Sequence, residues 1–183
     1  ITKGRAINCK DQTGGLKAAW IMGFGNLGTV TLGSNDEVTD ASGTGTFFQY
    51  DLKGSGNTME TTANVSRDNG TSFFSTVLSL SLPKLTKEDQ NEVKLLGATK
   101  TIIFAQLNQT VTATGHDVIV CLGSVNGMEL NAGTIDSGAA FGDRNGYTLT
   151  FDGLENKPFQ FVPDYTTNPF DNAGFTLGGV DSN

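Results

Sequence analysis

A mainly β fold, an antiparallel sandwich or partly closed barrel with one flanking α-helix over about residues 87–96, is what this sequence predicts. Three observations carry it. Apolar and polar residues alternate over 46–53, 57–66, 72–82 and 147–151, the period of a half-buried strand. Turn chemistry punctuates those runs: 24 of 183 residues are glycine, and Asp68-Asn69-Gly70, Asn126-Gly127 and Asn145-Gly146 supply backbone that tolerates positive φ. One segment, just after Pro83, carries helix signals.

Residues 1–15 (ITKGRAINCKDQTGG) are polar without periodicity and read as an extended arm closed by Gly14-Gly15. A single β domain is expected over 16–162, with a tail over 163–183. Residues 16–24 (LKAAWIMGF) read as a core strand carrying the sole tryptophan, Trp20, with 28–33 as its hairpin partner across Gly25-Asn26. Residues 34–45 (SNDEVTDASGTG), rich in Gly, Ser, Thr and acid, read as a long surface loop.

The next strands state their faces. Phe48, Tyr50 and Leu52 oppose Phe47, Gln49, Asp51 and Lys53. Over 57–66 the inward row is Met59, Thr61, Ala63 and Val65, leaving Thr58, Glu60, Thr62, Asn64 and Ser66 outward. Over 72–82 Phe74, Thr76, Leu78, Leu80 and Leu82 point in, and Phe73, Ser75, Val77, Ser79 and Ser81 point out. Two neighbouring strands thus carry Ser/Thr-rich outer rows almost free of charge.

Thr86 with Asp89 three residues on approximates a capping box, Val93 and Leu96 share a helix face, and Gly97 is expected as a left-handed C-terminal residue. Residues 101–107 and 109–114 read as two strands. Residues 118–122 follow as a buried one, and Asn126-Gly127 as a type I′ hairpin turn into Met128-Glu129-Leu130. Beyond Val162 periodicity ends, and the tail keeps isolated anchors, Tyr165, Phe170 and Phe175.

With 12 basic and 19 acidic side chains the net charge is 12 − 19 = −7, which excludes a basic nucleic-acid footprint and argues against anionic lipid as a partner. Two cysteines without C-x-x-C spacing, Cys9 and Cys121, and a single histidine, His116, offer neither a disulfide framework nor a zinc cluster, so a reducing compartment and no metal or other cofactor are expected. The N-terminal residues contain no signal-type apolar run and no stretch approaches a membrane span; Ile1 rather than Met at the start allows for a short processed segment before it.

Catalysis is not expected. His116 and Cys121 are five apart on one strand, which puts them on opposite faces. Asp143-Arg144-Asn145-Gly146 and Asp68-Asn69-Gly70 are fragments of a calcium loop without its distant Glu, and turn chemistry explains both. Gly23-Phe24-Gly25-Asn26-Leu27-Gly28 spells a phosphate-binding motif, but no helix follows it to bind the anion. The carboxylates Asp36 with Glu37, and Asp164 with Asp171, lie in loops with nothing to raise a pKa.

The strand at 118–122, the Asn126-Gly127 turn, the connection through Ser137-Gly138, the Asp143-Arg144-Asn145-Gly146-Tyr147 turn and the strand leading towards a Pro-aromatic segment together resemble the C-terminal half of tail tube (major tail) proteins of tailed bacteriophages. The likeness is one of pattern over about 47–162. It implies a structural virion protein: hexameric rings whose sheets join into an inner β-barrel, stacked into a channel for genome ejection, with other tail proteins as partners and DNA passing unbound. Under it, Thr58, Glu60, Thr62, Asn64, Ser75, Ser79 and Ser81 are candidate lumen residues. Asp36, Glu37 and Asp40 are candidates for an inter-ring loop, and Tyr165, Phe170 and Phe175 for anchors on neighbouring subunits. The alternatives are another β-sandwich virion protein (head decoration, neck or capsid-associated) and a carbohydrate-binding β module, the latter lacking an exposed aromatic platform.

Overall fold

A computed structural model describes residues 13–172 and the backbone of 179–181. Its elements run β1 (Leu16–Gly23), a 3-10 turn (Phe24–Asn26), β2 (Leu27–Leu32), β3 (Val38–Gly43), β4 (Thr46–Asp51), β5 (Thr58–Ser66), β6 (Thr71–Pro83), α1 (Lys87–Leu96), β7 (Thr101–Thr110), β8 (Asp117–Leu122), β9 (Glu129–Asp136), β10 (Gly146–Glu155), β11 (Gln160–Phe161) and β12 (Gly179–Asp181). Strand accounts for 53% and helix for 8%, in antiparallel sheets that do not close into a barrel. The sandwich expected from the sequence is what forms; β12 alone joins its neighbour β4 in parallel.

Three layers stack. A six-stranded sheet, ordered β11-β8-β7-β1-β4-β12, lies in the middle. A four-stranded sheet, β5-β6-β10-β9, packs on one face, and the β2-β3 hairpin with the segment after β11 covers the other. Between the sheets sit Ile21, Ile103, Val120 and Leu122 against Leu78, Leu80, Leu149 and Phe151. On the far face Trp20, Met22, Ile102, Phe104 and Ile119 meet Val38, Phe47 and Phe170. Burial on both sides explains why β1, β7 and β8 read as continuous apolar runs while β5 and β6 alternate.

Helix α1 closes the side of the first core with Val93 and Leu96. The Thr86 hydroxyl accepts the Asp89 N–H at 3.0 Å, as the capping pattern predicts, a contact worth about 1 kcal/mol. Gly97 is not left-handed. It keeps φ −67°, ψ −15°, and its N–H returns to the Val93 carbonyl, so the chain leaves the helix through a right-handed turn.

Four further expectations fail for physical reasons. Residues 28–33 do not pair with β1, because β4 and β7 occupy both of its edges; β2 pairs with β3 instead. Residues 34–45 are accordingly no free loop: Val38 and Ala41 are fully buried, two anchors that suffice to seat a hairpin on the second core. Asn126-Gly127 is no two-residue hairpin, since β8 and β9 belong to different sheets and this turn carries the chain between them. Residues 101–107 and 109–114 are not two strands either, because β7 runs unbroken to Thr110 and a turn begins after it.

Candidate functional surface of the four-stranded sheet

The registers build this surface row by row. Thr58 stands opposite Ser79, and Ser79 opposite Thr150; Glu60 stands opposite Val77, and Val77 opposite Asp152; Thr62 stands opposite Ser75, and Ser75 opposite Leu154. The two sequence-derived outer rows therefore meet side by side on one face, with their partners Met59, Thr61, Leu78 and Leu80 turned towards the core. Strand β10 completes the face with Thr148, Thr150 and Asp152. These were readable from the sequence, because Tyr147, Leu149 and Phe151 at 0–1% exposure force the intervening residues outward. Phe73, Val77 and Leu154 interrupt the polar rows with partly exposed apolar groups.

Charge on these strands is one-sided. Strands β5, β6, β9 and β10 contain no Lys, Arg or His, and carry Glu60, Glu129, Asp136, Asp152 and Glu155. Glu129 and Asp152 face each other across the β9-β10 ladder, relieved by Lys100 at 3.0 Å and by the Asn131 amide at 2.8 Å. Arg144 reaches over one corner, donating to the Ser81 hydroxyl at 2.5 Å and the Thr148 hydroxyl at 2.8 Å, so Ser81 is covered rather than open. Sequence reading missed that contact because the guanidinium comes from a loop 63 residues away.

The edges differ between sheets. The six-stranded sheet ends on β11, two residues long, and β12, three residues long, and short edge strands are a standard protection against unwanted pairing. The four-stranded sheet ends on β5 with nine residues and β9 with eight, neither paired outward among the described residues. No proline or lysine blunts either edge; β9 carries one bulge, opposite Thr150 and Phe151.

The other candidate residues fall elsewhere. Asp36 turns with φ 61° and binds Lys157 at 2.6 Å, while Glu37 accepts the Asn35 N–H at 2.9 Å. Asp40 lies on β3 with Oδ1 shielded from solvent. The three acids are thus tied into a hairpin rather than gathered on a loop. Tyr165 and Phe170 dock on this chain's own second core, Phe170 edge-on to Trp20 at 5.0 Å, and Phe175 lies outside the described residues. Cys121 is fully buried, which pushes its thiol pKa up, and His116 bonds Asp164 instead, so the two form no nucleophile–base pair. Cys9 also lies outside the described residues.

No protein-family model, curated protein or solved structure matches the chain.

Proposed function

We propose that this chain is the subunit of a hollow tube that conducts nucleic acid, a tail tube protein of a tailed virus, assembling as hexameric rings that stack. One observation carries the reading: a four-stranded sheet whose strands contain no cation and whose two long edges are unpaired among the described residues. Pairing β5 of one copy with β9 of the next is a heterologous contact, and a rotation that closes it yields a ring in which the four-stranded sheets keep no free edge. The face bearing Thr58, Glu60, Thr62 and Ser79 then lines the channel. Arg144 is engaged by the Ser81 and Thr148 hydroxyls and Lys100 by Glu129, and the remaining neutral and acidic side chains give phosphate nothing to bind, so DNA passes without strong salt-sensitive contacts. The function in the virion is structural, with no catalytic step and no membrane partner.

Negative-stain microscopy of the concentrated chain tests this directly. Hexameric rings or tubes with an open centre are the expected result, and monomers at every concentration would sink the reading.

A further inference from the structure

The segment after β11 crosses the aromatic core, and a polar clasp centred on Asp164 helps to tie it down. Val162 N–H bonds the Ile119 carbonyl at 2.9 Å. Phe170 then sits edge-on to Trp20 at 5.0 Å and to Phe104 at 5.3 Å. Between these two points, Asp164 receives the Thr114 hydroxyl at 2.7 Å and the His116 Nδ1 at 3.0 Å, one on each carboxylate oxygen. The Tyr165 ring stacks on the His116 ring at 4.6 Å, and its hydroxyl accepts the Asp117 N–H at 3.3 Å. The chain's sole histidine thus holds the cover of its sole tryptophan.

We propose that residues 162–172 form a strap that tightens as His116 gains a proton and loosens as it loses it, opening the face that carries Trp20. An imidazole changes charge between about pH 5 and pH 8. When neutral it holds Asp164 by a hydrogen bond; when charged it adds an ion pair. The charged and titratable groups around it are Asp164 and Tyr165 of the strap, Asp117 beside it on β8, and Lys17 of β1, which pairs with Asp117 at 2.5 Å. Asp171 is engaged with the N–H groups of Thr167 and Asn168 within the strap.

The Thr114 hydroxyl first, then the bond and charge of His116, hold the Asp164 carboxyl below the usual carboxylate range. Its contribution is therefore present above that range and lost only as pH falls beneath it. His116 and Asp164 are 29% and 30% exposed, which limits the charged pair to the strength of a surface ion pair, a change of about two- to fivefold in strap opening.

Amide exchange of residues 163–171, corrected for the intrinsic pH dependence of exchange, and acrylamide quenching of Trp20 would be measured on the full chain at about pH 5.5 and about pH 8. Opening should be about two- to fivefold greater at the higher pH. Asp164→Asn and His116→Gln should each abolish that ratio, whereas Thr114→Val should loosen the strap equally at both pH values and keep it. A flat profile in the unmodified chain, or a ratio that survives in Asp164→Asn or His116→Gln, overturns the proposal.

Discussion

Glu155 shows how a single side chain can hold two layers together. It points inward with Tyr147, Leu149 and Phe151, is 6% exposed, and accepts the N–H groups of Val125 and Asn126 at 3.0 and 2.9 Å. The carboxylate does for that crossover what a cap does for a helix end. Glu155→Ala should therefore cost about 1–3 kcal/mol in a urea titration, by removing the acceptor of two part-buried hydrogen bonds, and Glu155→Gln should recover part of it. The inward parity of β10 was legible, because burial of Tyr147, Leu149 and Phe151 leaves one choice of face. The role of Glu155 was not legible, since its partners lie 30 residues away in a turn that reads locally as a hairpin. Gly146 is a similar case. Asn145-Gly146 announces a turn, but φ 154° and the approach of the Leu82 carbonyl, which a Cβ would strike, come from pairing with β6.

Among elements, the alternating strands were placed on the right faces over most of their length, but Ala63 and Val65, expected inward at the far end of β5, are exposed because that end runs past the core; the other errors gathered where apolar residues were few. Val38 and Ala41 gave too faint a signal for β3, yet they bury completely and bring β2 with them. Deleting residues 36–43 should therefore lower stability by removing part of the second core, rather than leave a folded chain short of one loop. The tail obeys the same logic. Sparse anchors suggested docking on a neighbour, whereas Phe170 at 7% exposure completes an aromatic cluster within its own chain. Truncation at Pro163 should cost about 3–5 kcal/mol, the range for losing a buried Phe, measurable as an earlier unfolding midpoint. An unchanged midpoint would place that segment outside the folding unit.

The outer face of β5 and β6 supports a test of another kind. Thr62 and Ser79 lie on adjoining strands of a face whose strands have no cation. Replacing both by lysine should leave folding and ring assembly intact, as neither side chain faces the core. In the proposed channel each lysine adds a phosphate contact, and binding would then fall with salt at a logarithmic slope steeper by about 0.9 per contact made. Ejection should slow most at low salt; parental rates across a salt series would place these strands away from the lumen.

For the whole molecule, the bare edges of the four-stranded sheet set how assembly must proceed. Among the described residues a monomer offers two, along β5 and β9. A pair of joined copies still offers two, and so does an open arc of any length, because each addition covers one edge and supplies another. Only closure removes the last pair. In the proposed ring the final join therefore adds a contact without the entropy cost of capturing a further subunit, and incomplete arcs remain as prone to stray pairing as the monomer. Native mass spectrometry over a concentration series should show monomers and closed rings as two separate populations with arcs scarce between them, and a smooth ladder of intermediates would mean that β5 and β9 do not seek each other. An unclosed arc, on this account, is where misassembly begins, so the supply of subunits matters most at the last vacant position.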